Sequence, residues 1–423
     1  MRNLYRPVVA SPTVISLYTG AGGLDLGLEA AGFEVGAAVE WDGKACETLR
    51  ANRRWPLFEG DIHTLSSERI CEMSGLSPEE PDLLIGGPPC QPFSKSAYWR
   101  SGDTKRLGDP RADTLSAYLR VLRDLRPKAF LLENVQGLAF NGKDEGLRLL
   151  RDTIRAVNLE VGTEYSFTVA KLNAADFGVP QTRERVLIVG SRDGKELHFP
   201  TASHRDPLVE PSADSPAREP WLTAWDAIGD LQDDDDPTLA MGGKWGALLP
   251  SVPEGENYLW HTDRGGGKPL FGWRRRYWGF LLKLAKRRPA WTIQAQPGPA
   301  IGPFHWKSRK LSVRELCRLQ TFPDSYEIVG SRLDAQRQLG NAVPSLLGER
   351  IGRAIRSQFF GHAYRTASPR LAVRRRGEIP APEPVRRVPK RYEAQIGTHA
   401  AHPGTGLGYG AAARVAANAE SEG

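Results

Sequence analysis

Short apolar runs separated by helix-spaced patterns organise the first 190 or so residues of the chain. Val14–Tyr18, Val35–Val39, Asp82–Ile85, Ala129–Leu132 and Val186–Val189 are each four or five residues long, which suits strands buried on both faces. Helices are expected between them, and this alternation predicts a doubly wound, Rossmann-like α/β sheet. After Ser191 the character changes. Pro, Asp, Ser and Gly crowd the interval to Gly267, with an acidic run at Asp233–Asp236, and a smaller, irregular domain is expected to begin there. Helical spacing returns at Ser312–Leu319 and at Ser345–Phe359, where Leu346, Leu347, Ile351 and Ile355 recur, so these segments are expected to pack back on the sheet. From His362 the chain is rich in Pro, Arg, Ala and Gly with few apolar residues, and the expectation is a disordered basic tail. The predicted boundaries are 1–191, 192–290, 291–361 and 362–423.

Composition narrows the classes. The four cysteines, Cys46, Cys71, Cys90 and Cys317, show no metal-ligand spacing, so neither a disulfide framework nor a metal site is expected and a reducing compartment is implied. No apolar run is long enough for a bilayer span or a signal-peptide core, which predicts a cytoplasmic protein with no membrane partner. The net charge of +7 points to an anionic partner, and its distribution says more than its sum. Lys268–Lys310 holds 11 basic residues and no acidic one, interleaved with Trp273, Tyr277, Trp278, Trp291 and Trp306. That is the pattern of a nucleic-acid face. Composition alone favours the blander alternative, a solvated helix with ordinary core aromatics.

Two ends of the predicted sheet carry candidate chemistry. The run Val14–Tyr18 enters Thr19-Gly20-Ala21-Gly22-Gly23 and then a helix, an arrangement that brings backbone close to a ligand, although a purely structural turn reads equally well. Glu40, twenty residues after Gly20 and at the end of the second run, is placed to accept from ribose hydroxyls. Asp61 is placed to accept from an adenine amino group and Trp41 to stack on that base. The spacing G-x-G-G departs from the dinucleotide fingerprint, which favours an adenosyl cofactor over a nicotinamide one.

At the other end, Cys90 follows Asp82-Leu-Leu-Ile-Gly-Gly-Pro-Pro, just past a strand, on a turn stiffened by two prolines. A lone cysteine is usually a small buried hydrophobe, and that is the expectation for Cys46, Cys71 and Cys317. The loop context of Cys90 suggests a positioned nucleophile instead. Glu133-Asn134 closes the run from Phe130, and Gln181-Thr-Arg183-Glu-Arg185 precedes the run from Val186. Singly these are an exposed strand-end acid and a salt-bridged strand start. Together, a thiol, a carboxyl group and an arginine fork are the parts needed to attack an unreactive heteroaromatic ring.

Six blocks in order make the resemblance specific: Ser16–Gly23, Gly86–Ser94, Glu133–Val135, Gln181–Arg185, Arg314–Pro323 and Gly340–Pro344. On them the chain resembles the DNA (cytosine-5)-methyltransferase family, bacterial type, from residue 13 to residue 358. The resemblance implies a methyl transfer from S-adenosylmethionine to C5 of a flipped-out cytosine in a specific double-stranded DNA sequence. Cys90 would add to C6, Glu133 would serve N3, Arg185 and Arg183 would hold the O2 edge, and Asn134 would steady the loop. It further implies cofactor contacts from Tyr18, Gly20, Gly22, Gly23, Glu40, Trp41, Asp61, Ile62, Pro88 and Asn341. Tyr18 stands where the family usually has phenylalanine, so its hydroxyl needs a partner. DNA contacts are expected from Gln91, Ser94, Lys95, Arg100, Gln181 and Arg274, Arg275 and Arg276, with 192–290 as the target-recognition domain. A monomer, associated with the nucleoid and accompanied by a cognate restriction endonuclease, completes the implied setting. The alternatives are a transfer-RNA cytosine methyltransferase of the same fold and a non-catalytic DNA-binding module.

Overall fold

The computed structural model describes residues 11–89, 113–134, 145–210, 217–231, 236–272, 278–362, 368–394 and 396. Successive residues of the apolar runs point to opposite sides of one sheet, as the two-residue strand period requires. Ile15, Leu17, Leu84, Phe130, Leu132 and Ile188 enter one core, and Val14, Leu83, Ile85, Leu131, Leu187 and Val189 the other. The strands are β1 (Thr13–Leu17), β2 (Glu34–Glu40), β3 (Leu57–Glu59), β4 (Leu83–Gly86), β5 (Ala129–Asn134), β6 (Ser166–Asn173) and β7 (Glu184–Ser191). Their order across the sheet is β3, β2, β1, β4, β5, β7, β6. The pairs from β3 to β5 are parallel, whereas β7 runs antiparallel to both β5 and β6.

Helices cover both faces. Helix α1 (Gly23–Ala30) follows β1 and α2 (Gly43–Asn52) follows β2. Helices α3 (Ser67–Ser74), α4 (Asp113–Leu125) and α5 (Glu145–Val161) place Ile70, Tyr118, Leu122 and Ile154 in the first core. The other face buries Leu24 and Leu28 of α1 against Leu346, Leu347 and Ile351, which belong to a helix near the end of the chain. A methyl group at Gly27 would strike the backbone of Ser345, Gly348 and Glu349, so this glycine lets the two helices touch through their backbones.

Among the described residues, β7 is followed by the two-residue strands β8 (His204–Arg205) and β9 (Glu219–Pro220), the short helix α6 (Ala224–Ile228) and a series of short 3-10 turns. The expected late helices follow as α7 (Val313–Leu319), α8 (Arg332–Asn341) and α9 (Ser345–Phe360). Ser312 and Glu315 form a capping box at the start of α7, which explains why the helix begins there. A third core, around Trp225, Trp306, Leu316 and Leu339, joins α6 to these helices, and a fourth gathers Leu248, Leu249, Tyr258, Leu281 and Phe304.

Over residues 368–394 the expected disordered tail needs correction. Residues 368–394 run over the body of the molecule and end in a short helix, α10 (Lys390–Glu393), whose Tyr392 enters the fourth core. Apolar residues are sparse in this stretch, but three of them pack partly buried on the cores: Leu371 on the second, Ile379 on the third and Val388 on the fourth, while Val385 stays exposed. Among the described residues, no helix is long and apolar enough to cross a membrane.

Candidate active site

The carboxyl ends of β1, β2, β4 and β5 open on a cavity of about 450 Å³, the sheet edge at which α/β folds bind ligands. Its wall at β1 is the turn Tyr18-Thr19-Gly20. Gly20 has φ +58° and nothing within 4 Å of where a Cβ would stand, so the backbone is bare toward the cavity. Tyr18 also has a positive φ, +55°, and its hydroxyl donates to the Thr114 carbonyl at 2.6 Å. The hydroxyl that sequence comparison made questionable thus has a protein partner.

Glu40, at the end of β2, holds the turn in place. One carboxylate oxygen accepts from Gly20 N at 2.6 Å, and the other from Trp41 N and Asp42 N at 2.9 and 2.8 Å. Burial raises its pKa while these three N–H groups pull the other way. A carboxylate has about four acceptor positions, so one remains for a hydroxyl in the cavity. Trp41 is 74% exposed and lines the same space, leaving an indole face open to stack on a base. Pro88, from the loop after β4, and Asn341, the last residue of α8, complete the rim. Gly22 and Gly23 form the start of α1; Gly23 lines the cavity and Gly22 sits behind it against Leu49 and Tyr326. Asp61 and Ile62 are not among the lining residues. Asp61 caps the turn after β3 by accepting from His63 N at 3.0 Å, and Ile62 is buried.

Across the cavity, Glu133 and Asn134 end β5, and Arg185 reaches over from β7. Arg185 Nε lies 2.6 Å from Glu133 Oε1 with both side chains mostly buried. The pair is ionic, since that oxygen has no aligned hydrogen bond. A Cβ on Gly87 would stand 3.0 Å from the other Glu133 oxygen, so the loop leading toward Cys90 passes directly over this carboxylate. Cys90 itself, with Gln91, Ser94, Lys95, Arg100 and Arg274 to Arg276, lies outside the described residues. Burial pushes the thiols of Cys46 and Cys317 up to about 12 and raises that of Cys71, so all three are held neutral.

Two expectations fail on geometry. Gln181 cannot touch DNA. It is fully buried, donating to Leu319 O and Gln320 Oε1 and accepting from Ile293 N. Arg183 cannot hold the O2 edge of a base, because it is fully buried with its Nη atoms on the carbonyls of Ile293 and Gly340. Those carbonyls precede Gln296 and Asn341 on the cavity wall, so Arg183 braces the wall instead. Burial and the neighbouring Arg185 lower its pKa. Alternating residues of a regular strand would share one face; the irregular entry into β7, where only Glu184 onward is strand, separates Arg183 from Arg185. Asp25, which sequence analysis passed over, also lines the cavity from the first turn of α1, 1% exposed and with Oδ1 unpartnered. Its only signal was an acid in an otherwise apolar helix start, Gly23-Leu24-Asp25-Leu26.

The sheet order and this cavity define a methyltransferase fold, and comparison with known proteins agrees. The model of the C-5 cytosine-specific DNA methylase family matches residues 12–357. The chain is 40% identical over 368 residues to the Type II methyltransferase M.SacI of Streptomyces achromogenes, spanning 82% of this chain and 93% of the relative. It is 32% identical to M.NgoPII of Neisseria gonorrhoeae, over 81% of this chain and 95% of that one. The solved Spodoptera frugiperda DNMT2 mutant shares the fold with TM-score 0.54 at 18% identity, covering 82% of this chain and 99% of its own. Entamoeba histolytica methyltransferase EhMeth does so with TM-score 0.52 at 14% identity, covering 82% and 98%.

The chain belongs to the C-5 cytosine-specific DNA methylase family. It is an enzyme that methylates cytosine in DNA, with S-adenosylmethionine as methyl donor. The cavity fits that cofactor: a bare glycine turn, a carboxylate with a free acceptor position and an open indole face line one space. Neither a transfer-RNA substrate nor a non-catalytic module is favoured by these relatives.

Proposed function

We propose that the enzyme modifies one cytosine within a short, specific double-stranded sequence, with Cys90 as nucleophile and Glu133 and Arg185 as the groups that activate the ring. The observation that carries this is the Glu133–Arg185 pair on the cavity wall, with the loop to Cys90 passing over the carboxylate. Cytosine C5 is a poor nucleophile. Addition of the Cys90 thiolate to C6 forms an S–C bond and moves electron density toward N3 and C5. Glu133 takes up a proton as the base enters and donates it to N3, which stabilises that charge, while Arg185 fixes the Glu133 carboxyl group and reaches the O2 edge. Asn134 steadies the strand end. When bound, S-adenosylmethionine supplies an electrophilic methyl group on a sulfonium. C5 takes the methyl with S-adenosylhomocysteine as the leaving group, and loss of the C5 proton to a solvent base expels the Cys90 thiolate as the aromatic ring returns. The base must first leave the duplex, at about a few kcal/mol, so DNA contacts elsewhere offset the flip. Gln91, Ser94, Lys95 and Arg100 after the nucleophile, and Arg274, Arg275 and Arg276 in a recognition region spanning 192–290, are assigned to those contacts.

Glu40, Trp41 and Gly20 are assigned to the adenosine half of the cofactor and Asn341 to its amino-acid half. Asp61 and Ile62 are retained as outer contacts to adenine. The relatives carry Type II names, which supports a restriction–modification role with a cognate endonuclease as partner. A monomer working on the nucleoid in the cytoplasm fits that role. The test is base-resolution 5-methylcytosine mapping of DNA from a methylation-free host expressing the chain or Cys90→Ser. Methylation at one short motif, lost in the variant, is expected. Methylation that persists in C90S rejects Cys90, and methylation scattered without a motif rejects sequence specificity.

A further inference from the structure

The matched family region ends at residue 357, yet 368–394 continue across three parts of the molecule. Beside α9, buried Glu349 accepts from the backbone N–H groups of Arg370 and Leu371 at 2.7 and 2.8 Å. At α6, Arg376 N donates to Asp226 Oδ1 at 2.9 Å and its guanidinium lies 2.6 Å from Asp230. Next, buried Lys286 donates to Glu254, to Glu383 and to the Ala381 carbonyl, at 2.8, 2.9 and 2.9 Å. The segment ends at Tyr392, 2% exposed, whose hydroxyl donates to Lys244 O at 2.8 Å. Its ring stacks on Trp245 with centroids 5.9 Å apart and planes 16° apart. Trp245 meets Phe271 and Phe280 edge-on at 5.3 and 5.5 Å, and those two rings lie 5.6 Å apart.

We propose that 368–394 is a strap that sets the recognition region on the catalytic sheet, and that Tyr392 is a positioning residue for DNA engagement. The inference rests on the assignment of 192–290 to DNA recognition. An extension that only added stability would serve its purpose on one core. This one is anchored on α9, passes the joining core and inserts a tyrosine in the fourth, so it ties the three together. Flipping delivers a base to a cavity on one side through contacts made on the other, and a misplacement of about 1 Å costs roughly a hundredfold in such geometry. Tyr392 acts through Trp245 on Phe271 and Phe280, which flank the recognition arginines in sequence.

The test compares Tyr392→Ala and Tyr392→Phe in the full chain, measuring KM for a duplex carrying the mapped motif, kcat, and S-adenosylhomocysteine affinity by calorimetry. Y392A is expected to raise the DNA KM about tenfold, the scale of one lost aromatic contact, with kcat and cofactor-product affinity within about twofold. Y392F, which keeps the stack, is expected to recover most of the loss. An unchanged DNA KM overturns the proposal, as does a raised KM accompanied by an equal loss of kcat and of cofactor-product affinity, which marks general destabilisation. Arg376→Ala cuts the strap at α6 and carries the same criteria should Y392A fail to fold. Arg275→Ala separates the two levels. If R275A raises the DNA KM and the strap variants do not, only the strap falls; if none moves it, the recognition assignment falls too.

Discussion

Asp25 shows what a single buried carboxylate does to the empty enzyme. Its pKa is pushed up to about 7, chiefly by burial, against a hydrogen bond from Ser16 and with Glu29 and Glu40 adding repulsion. The folded protein therefore favours the protonated form. That contribution is fully present below the ordinary carboxylate range and is lost as pH rises toward 7, at up to about 1.4 kcal/mol per pH unit. Cofactor-free enzyme is accordingly expected to melt at progressively lower temperature from pH 5 to pH 7 in part through this group. Asp25→Asn keeps the shape without the proton, and its melting temperature should fall less steeply over the same window. The slope, not the height, is the readout, because the amide has its own burial cost. Identical slopes would mean that Asp25 stays ionised throughout.

At the scale of elements, the contact of α1 with α9 decides how the end of the chain returns to its beginning. Helix propensity alone says that Gly27→Ala should stabilise α1 by about 1 kcal/mol. Sterics say the opposite, since the new methyl meets the backbone of α9, which cannot rotate away as a side chain would. Overpacking costs typically 1–3 kcal/mol, so the clash wins and G27A is expected to lower the melting temperature by several degrees. A rise would show that the helices can part at little cost. The same pair marks what the sequence makes legible. Five strands announced themselves because central strands must be apolar on both faces. Strand β6 did not: Ser166–Asn173 lies at the sheet edge, half-exposed along its length, and reads as polar. Cavity residues at strand ends, such as Glu40 and Glu133, were legible from position. Gln181 and Arg183 were assigned to DNA and to the base through the family resemblance, whereas both satisfy carbonyl groups in the interior.

For the whole molecule, the question is what the last sixty residues contribute. A basic tail without fixed structure would add salt-sensitive DNA affinity and nothing to stability. A strap seated on three cores behaves otherwise. Tyr392 is fully buried and Leu371, Ile379 and Val388 are partly so; a fully buried apolar side chain stabilises by roughly 1.5–3 kcal/mol before ordering entropy is charged, and the partly buried ones by a fraction of that. Removing the segment also strips Glu383 from Lys286, leaving a buried ammonium with Glu254 as its remaining carboxylate partner, and strips two N–H donors from buried Glu349. Two truncations decide between the pictures. A chain ending at Ile396 retains every contact named above and is expected to melt with the full-length enzyme. A chain ending at His362 is expected to melt markedly lower, with the fourth core loosening before the sheet, seen as early exposure of its tryptophans, Trp245 and Trp260, to a fluorescence quencher. If both truncations melt with the full-length enzyme and differ only in how steeply DNA binding falls with salt, the segment is a tail after all, and the strap is without consequence.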